Sequence, residues 1–352
     1  MRTVVTIAAL GVILTLVHFA ADVVTPFMIG AVLAVAFQPM SSALDRRGVP
    51  SFVAALITTT VVLAIVAFGG FLVYLAGSNL AADLPTHGLR AAALRDDFAA
   101  MLASRGMDSA ARSVTEFSFG GPATSFASSM AMRAPHFAQS LFFVLVVTAF
   151  IQLEATGYRR KLARVLGGVR KTRWLTGALH DIQRYLIVKL ALSAANGILL
   201  GLWCWLWGVD SPLLWGILAF GLNFIPFIGS ILAAVPPILF GLVEGGPTTA
   251  IGVAAGYLTV NLVVDNIVEP RVLGRAMGLS PLVLLLAMLI WGLVLGPVGA
   301  MLSVPLTMTL KLILERDPEL RKFALLMGSE QDPTPLPTAT MSGGPTVADD
   351  VQ

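Results

Sequence analysis

Three polar side chains recur at four-residue spacing in the segment NLVVDNIVEPRVLG, residues 261–274. Asn261, Asp265 and Glu269 would share one face of a helix, because residues four apart stack above one another. No charged residue lies between Glu244 and Asp265, so this stripe belongs in or at the edge of a membrane. An acid at that depth normally faces protein or water and marks the path of an ion or solute. Asp265 is therefore a candidate proton or cation site, with Asn261 and Glu269 as further oxygen ligands.

A structural role for Asp265 is the alternative. Its carboxylate could pair with Arg271 or Lys189, or it could lie at the membrane interface where the helix ends near Pro270. Lys189 could equally extend its ammonium group to the interface. Glu269 directly precedes the proline, a position where helices commonly end. We therefore favour a functional role for Asp265 over one for Glu269.

A second candidate polar site lies in the segment GLNFIPFIGS, residues 221–230. Asn223 brings an amide into an apolar run, and Pro226 and Gly229 interrupt the backbone beside it. Backbone groups freed by such a break cannot face lipid, so they must be buried in protein or line a wet cavity. The segment thus predicts a polar cavity near Asn223.

The sequence contains no constellation typical of an enzyme. Its four histidines are scattered, and it has neither a Gly-x-x-x-x-Gly-Lys phosphate loop nor a Gly-x-Ser-x-Gly elbow. Cys204 is the only cysteine, which excludes an intrachain disulfide and a cysteine-built zinc or iron–sulfur site. We expect no catalytic residue, no metal, no cofactor and no nucleic-acid partner.

Composition indicates the surroundings of these residues. Of the 352 residues, 57% are hydrophobic and only 12% are charged, and the mean hydropathy is +0.84. Soluble domains carry roughly 25% charged residues, and a soluble chain of this length would need that charge for its surface. The sequence predicts an all-α polytopic membrane protein whose outer surface contacts membrane lipids.

Apolar runs with at most one charged residue predict about eight hydrophobic segments, since a membrane helix needs about 20 apolar residues. They are 4–21, 23–40, 52–77, 138–153, 185–209, 212–243, 248–268 and 279–314. The two long segments, 212–243 and 279–314, contain the helix breakers Pro226, Gly229, Pro236, Gly296, Pro297 and Pro305. Paired broken segments of this kind point to a transport site. Each is either a re-entrant hairpin or a strongly tilted, kinked crossing.

Basic residues predict the orientation. Residues 157–184 contain eight Lys or Arg and one acid, so this loop and both termini are expected to be cytoplasmic. The loop with Arg271 and Arg275 is cytoplasmic if the long segments are hairpins and external if they cross. The predicted organisation is membrane segments in 1–77, an external, mostly helical region in 78–137, a fourth segment in 138–156, a basic interfacial helix in 157–184, a membrane core with broken helices in 185–315, and a largely disordered cytoplasmic tail in 316–352.

The C-terminal half resembles a known family. LNFIPFIGSILAAVPPIL (222–239), followed by DNIVEPRVLGRAMGLSPLVLLLAMLIWGLVLGPVGAMLSVPLTMTLKLILE (265–315), is similar to the autoinducer-2 exporter family of bacterial permeases. The similarity is specific over roughly 185–315, and Ser230 stands where many members have a proline. By match to its motifs, the resemblance directs attention to Asn223, Pro226, Gly229, Asp265, Asn266, Pro270 and Gly274. It also covers Gly278, Pro281, Gly292, Gly296, Gly299 and Pro305, which we interpret as packing and hinge residues.

The resemblance implies a homo-oligomeric transporter of the bacterial inner membrane. Some members are assigned to export of the quorum-sensing signal autoinducer-2, and others resemble sodium/proton antiporters. Three hypotheses follow. The protein exports a small polar solute with proton coupling through Asp265, exchanges Na⁺ or Li⁺ for H⁺ at the same acid, or acts as a membrane scaffold without transport.

Overall fold

The computed structural model describes residues 15–116, 140–154, 169–273, 278–316 and 319–328. Within these ranges the regular structure is helical and contains no strand, which confirms the all-α polytopic prediction. Most of the predicted segment 4–21, part of the basic helix 157–184 and most of the tail 316–352 lie outside the described residues. The helices long and apolar enough to cross a membrane are Ala21–Arg46, Ser51–Ser78, Leu179–Leu206, Ile228–Leu273 and Pro281–Met301.

The described helices follow one another along the chain with short connections. In chain order they are α1 (Ala21–Arg46), α2 (Ser51–Ser104), α3 (Asp108–Glu116), α4 (Ser140–Glu154), α5 (Val169–Leu206), α6 (Pro212–Leu222), α7 (Ile228–Val263), a π-helical turn (Val264–Val268), α8 (Glu269–Leu273), α9 (Pro281–Met301), α10 (Ser303–Arg316) and α11 (Arg321–Met327).

A glycine ends α1 and a proline starts α2. Gly48 has a φ of 85°, and the next N–H, of Val49, donates to the Leu44 carbonyl at 3.2 Å. This is the Schellman pattern, in which a residue without a Cβ adopts the left-handed conformation that stops the helix. Pro50 then precedes the first turn of α2, so the two membrane helices are joined by a short turn.

Helix α2 continues beyond the membrane segment predicted at 52–77. Its 54 residues span about 80 Å, far more than the hydrocarbon core of about 30 Å. Helix α3 folds back onto the distal part, where Ala110 packs against Ala99 and Leu102. The predicted boundary at residue 77 therefore lies within one continuous helix, whose hydrogen bonds are satisfied internally on both sides.

Helix α5 runs antiparallel to the second half of α7. At one end, Trp203 Nε1 donates to the Gly252 carbonyl at 3.0 Å, and a Cβ on Gly256 would overlap the Trp203 indole. At the other end, Lys189 contacts Glu269. Small residues on α7 thus allow close packing along the pair, and polar side chains meet in its interface.

The first long segment folds into a hairpin, called hairpin 1 and formed by α6 and the first half of α7. The rings of Trp215 and Phe240 have centroids 5.0 Å apart, although a continuous helix would separate these residues by about 37 Å. The Asp210 N–H donates to the Glu244 carboxylate at 2.8 Å. The start of α6 and the end of the first half of α7 therefore lie at the same end of the bundle.

The break that follows hairpin 1 lies at Gly246, not at Pro236 as predicted. Gly246 has φ 75° and ψ −168°, while the backbone is helical through Pro236. A Cβ on Gly241 would lie 3.5 Å from Val253 Cγ2, so α7 doubles back between these residues. The break lies at a glycine because proline keeps a φ that a helix tolerates, whereas only glycine readily adopts the backbone conformation found at Gly246.

The second long segment also folds back, forming hairpin 2 from α9 and α10. Gly296 has φ 70° and ψ −158°, with Pro297 directly after it. The Trp291 indole donates across the hairpin to Thr307 at 3.1 Å. The predicted break at Pro305 is wrong, because Pro305 occupies the first turn of α10, where its missing N–H needs no helical partner.

The two hairpins enter the bundle from opposite ends. Hairpin 1 opens beside the C-terminal end of α5, through the Asp210 and Glu244 contact. Hairpin 2 opens beside the other end, where Leu279 belongs to one buried cluster with Ile182. Arg184 Nη2 donates to the Val272 carbonyl at 3.5 Å, so the Arg271 segment also lies there. The structure therefore has the hairpin geometry rather than two kinked crossings.

Candidate functional site

Helix α5 contributes three polar side chains to the centre of the bundle. Lys189, Ser193 and Asn196 are only 6%, 0% and 1% exposed. Their spacing places them on one face of the helix. Ser193 lies at the middle of the span Leu179–Leu206, so this face carries polar groups at membrane depth. Such groups are costly in the bilayer unless they are paired or serve a path.

Lys189 forms an ion pair with Glu269. Its Nζ atom lies 2.9 Å from both carboxylate oxygens, and the two side chains are 7% and 15% exposed. The sequence left Lys189 open as a partner of Asp265, but its hydrogen bonds go to Glu269. Two nearly desolvated charges held this closely neutralise each other, and removing either would leave the other uncompensated.

A π-helical turn of five residues contains Asp265. The Glu269 N–H donates to the Val264 carbonyl, one residue further back than in an α-helix. Pro270 explains the wider turn, since it lacks an N–H and its ring would clash with the carbonyl of Asn266 in a regular helix. Insertions of this kind frequently occur at functional sites.

The predicted stripe lies against α5 at both of its ends, since Asn261 and Glu269 each contact that helix. Between them, the Asp265 carboxylate lies within reach of the charges of Lys189 and Glu269 and close to the Ser230 hydroxyl at the start of α7. A single face for all three side chains stays a prediction.

Asn223 reaches the centre of the bundle from the turn of hairpin 1. Its Nδ2 donates to the Ser193 hydroxyl at 2.8 Å, and both side chains are buried. The turn is tight, because the Ile228 N–H donates to the Pro226 carbonyl at 2.7 Å and Phe227 has φ 62°. That geometry is a γ-turn with a positive central φ, which is rare and strained.

Gly229 allows hairpin 1 to close beyond this turn. A Cβ at this position would overlap the Leu222 carbonyl, so a larger residue would push the arms apart. Pro226 and Gly229 thus lie at the break predicted from the sequence, and together they place the Asn223 amide against Ser193.

Of the polar contacts made by α5 at this site, the one between Asn196 and Asn261 lies closest to the C-terminal end of the helix. Asn196 Nδ2 donates to Asn261 Oδ1 at 3.3 Å. The Asn196 Oδ1 atom is buried and accepts no hydrogen bond from the described residues. A buried carbonyl without a donor is unfavourable, and a solute hydroxyl or a water molecule would satisfy it. We call Lys189, Ser193, Asn196, Asn223, Asn261, Asp265 and Glu269 the polar seam.

Three predicted residues do not join the polar seam as the structure describes it. Asn266 is exposed, and its amide donates to the Leu262 carbonyl of its own helix at 3.3 Å. Pro270 is exposed and acts on the seam through the backbone. Gly274 lies outside the described residues. Among the residues that the structure does describe, no group of three or more His, Cys, Asp or Glu could hold a metal ion.

Comparison with known proteins decides the family. The model of the AI-2E family transporter matches residues 7–317. The chain belongs to this family. It is 33% identical over 335 residues to the AI-2 transport protein TqsA of Escherichia coli K12, covering 93% of this chain and 95% of that protein. A putative transport protein of Haemophilus influenzae is 31% identical, with 94% and 97% covered. The protein is thus a multi-pass membrane transporter.

Ser193 and Asn196 are the seam residues that the sequence reasoning missed in this AI-2E family transporter. They carry the same signal that identified Asp265, since Lys189, Ser193 and Asn196 lie three or four residues apart in an apolar run. Neutral hydroxyl and amide groups add no charge to an apolar run, so the charge pattern does not distinguish them. Their pairing with Asn223 and Asn261 depends on contacts 30 and 65 residues apart in the chain.

Proposed function

We propose that this AI-2E family transporter is a secondary exporter of a small polar solute, and that the solute binds at the polar seam. One observation carries the proposal: the Asn223 amide, on the turn of a broken helix, meets Ser193 at mid-span. Transport folds place their substrate sites at such broken helices near the membrane midplane. The relative TqsA, named an AI-2 transport protein, supports an autoinducer-2-like signal or metabolite as the solute.

The chemistry of the seam suits a neutral solute rich in hydroxyl or carbonyl groups. Asn196 and Asn223 each carry a donor and an acceptor, and Ser193 can do both. The Asn196 Oδ1 atom has no protein donor in the described part of the chain. Because Lys189 neutralises Glu269 at 2.9 Å, the seam presents hydrogen-bonding groups with little net charge apart from Asp265.

Asp265 is the group we assign to proton coupling. The Lys189 ammonium is hydrogen-bonded to Glu269, while Asp265 lies near both of these charges and close to the Ser230 hydroxyl. Protonation of Asp265 would remove a charge beside the start of α7 and change what Ser230 can bind. Since Asn223 and Ser230 flank the same turn, solute binding and protonation act on one element, hairpin 1.

A Na⁺(Li⁺)/H⁺ antiporter is the second candidate. It is supported by the same carboxylate, because Asp265 and the Ser230 hydroxyl supply oxygen atoms of the kind that bind hard cations. A scaffold without transport has less support, since a polar seam at membrane depth is retained only at a cost in stability.

Flux through proteoliposomes that contain the full chain tests these functions. Wild type is compared with Asp265→Asn under a pH gradient, with autoinducer-2 as the solute probe and separately with Na⁺ or Li⁺. Asp22→Asn, an exposed acid in the first turn of α1, is the matched control. Solute accumulation that follows the pH gradient and is lost only in Asp265→Asn supports the exporter.

The other results are equally informative. Proton flux that requires Na⁺ or Li⁺, without solute uptake, establishes the antiporter. Equal loss in Asp22→Asn would show that any membrane acid affects the assay and would contradict the role of Asp265. If neither solute nor cation moves, autoinducer-2 export and cation exchange are both wrong.

A further inference from the structure

A cleft of about 910 Å³ opens between α1 and α5, and its lining includes no residue of the polar seam. Its polar lining includes Ser42, Asp45, Arg46, His180, Gln183 and Arg184, and its apolar wall includes Ile187 and Val188. The cleft lies at the end of the bundle where Arg184 contacts the Val272 carbonyl. Nothing in the proposed transport function uses it.

The cleft lies at the depth of lipid headgroups. The spans Ala21–Arg46 and Leu179–Leu206 contain 26 and 28 residues, or about 39 and 42 Å of helix. These lengths match a whole bilayer with its polar layers, about 40–45 Å. The lining comes from the last turns of the first span and the first turns of the second. Its polar residues are therefore at headgroup level, and Ile187 is on the side of the hydrocarbon.

Each of the two arginines of the cleft uses one N–H group in a hydrogen bond to the described part of the chain. Arg46 Nε donates to the Ser42 carbonyl at 3.2 Å, and Arg184 Nη2 donates to the Val272 carbonyl at 3.5 Å. Neither forms an ion pair with a carboxylate among the described residues. A guanidinium has several N–H groups in a fork that matches phosphate oxygens, and basic pockets between membrane helices bind lipid phosphates.

Asp45 supplies the opposite charge. Its Oδ1 atom is buried and accepts no hydrogen bond from the described part of the chain, although Arg46 is its neighbour. A buried carboxylate oxygen without a donor is unfavourable. Asp45 also lines the cleft, and its carboxylate can accept hydrogen bonds from a cationic group bound there. The cleft thus offers positive groups for a phosphate and a negative group for an ammonium.

We propose that this cleft binds the headgroup of a phosphatidylethanolamine lipid. Arg46 and Arg184 hold the phosphodiester, Asp45 accepts hydrogen bonds from the ethanolamine ammonium, and the acyl chains follow the exposed Ile187 towards the hydrocarbon. The ammonium of ethanolamine has N–H donors, whereas that of choline has none, so the site distinguishes these lipids. This assignment does not depend on which solute the protein transports.

Binding of short-chain lipids to the purified, delipidated full-length protein tests the proposal. Dihexanoyl phosphatidylethanolamine, phosphatidylglycerol and phosphatidylcholine are titrated by native mass spectrometry, and inorganic phosphate is the fourth probe. We expect phosphatidylethanolamine to bind most tightly. Arg46→Gln and Arg184→Gln should each weaken it by about tenfold, the loss typical of one charge-assisted hydrogen bond. Asp45→Asn should reduce phosphatidylethanolamine binding to the level of phosphatidylcholine.

Arg47→Gln is the matched control, because Arg47 is exposed on the next residue of the same turn and does not line the cleft. It should leave binding unchanged. Equal weakening by Arg47→Gln would show non-specific attraction and overturn the proposal. Binding of phosphatidylcholine, phosphatidylglycerol or inorganic phosphate as tightly as phosphatidylethanolamine would also overturn it. Arg46→Lys, which keeps the charge but not the fork, should retain folding and weaken binding, which separates recognition from loss of structure.

Discussion

The Lys189–Glu269 ion pair holds two opposite charges almost out of contact with solvent, at 7% and 15% exposure. Substituting one partner leaves a buried charge without compensation. We expect Lys189→Met and Glu269→Gln each to destabilise the protein by about 3–5 kcal/mol, and the double variant to recover much of that loss. Thermal unfolding of the purified chain measures both. Lys322→Met, at an exposed lysine of α11 whose ammonium lies 5.3 Å from the Phe323 ring centre, should cost no more than about 1 kcal/mol. Additive losses in the double variant would mean that the pair is not coupled.

The ion pair also shows what residue spacing can and cannot predict. Four-residue spacing correctly indicated a helix with polar groups at membrane depth. It could not predict which acid Lys189 binds, because that choice depends on the π-helical turn and on an 80-residue separation in the chain. Local periodicity assumes a regular helix, and Pro270 removes that regularity next to Glu269.

The turn of hairpin 1 depends on Gly229, and a neighbouring glycine provides its control. A Cβ at Gly229 would overlap the Leu222 carbonyl, whereas a Cβ at Gly221 meets no atom within 4 Å. We expect Gly229→Ala to cost about 1–3 kcal/mol, the usual cost of overpacking, and to impair transport. Gly221→Ala should leave unfolding temperature and flux close to wild type. If both variants behave alike, close approach at Gly229 does not determine the turn.

The π-helical turn gives a prediction in which the unfolding temperature is maintained while proton coupling is reduced. Pro270 is exposed, so Pro270→Ala removes no buried contact and restores an N–H that can donate to the Asn266 carbonyl. The turn can then close to an α-helix, which changes the position of Asp265 relative to Lys189, Glu269 and Ser230. We expect an equal or higher unfolding temperature, and proton coupling reduced by roughly tenfold, within the usual range for coupling between sites.

Pro236→Ala is the matched control for Pro270→Ala, because Pro236 lies within α7 with helical backbone and no π-helical turn. It should not change the coupling ratio of solute to proton flux. Unchanged coupling in Pro270→Ala would show that the turn does not position Asp265. The pair of variants therefore tests the backbone geometry itself rather than the presence of a proline.

At the scale of the molecule, the order of the hydrophobic segments could be predicted from the sequence. Which of them fold back as hairpins could not. Both hairpins were open alternatives, since a broken segment of this length can also tilt and cross. Hairpin 1 reverses at the turn around Phe227, and hairpin 2 reverses at Gly296. Gly246 has nearly the same backbone conformation as Gly296, is likewise followed by a proline, and reverses the chain again after hairpin 1. Sequence shows many glycines and prolines, but only long-range contacts such as Trp215 with Phe240 reveal which of them reverse the chain.

The opposite directions of the hairpins fix which loops share a side of the membrane. Arg47 and Arg271 lie at the end of the bundle that contains Arg184, and Thr248 lies at the other end, next to Gly246. All three labelling positions are exposed. Cys204 is the only cysteine and is fully buried, so Cys204→Ser gives a background for single-cysteine labelling.

In that background, a membrane-impermeant thiol reagent should reach Arg47→Cys and Arg271→Cys from one side and Thr248→Cys from the other. Basic residues predict that the shared side is the cytoplasm, so in intact cells only Thr248→Cys should be labelled, while inverted vesicles should label the other two. Two full crossings would instead place Arg271→Cys opposite Arg47→Cys. That result would contradict the hairpins, and with them the approach of Asn223 to Ser193 on which the proposed solute site rests.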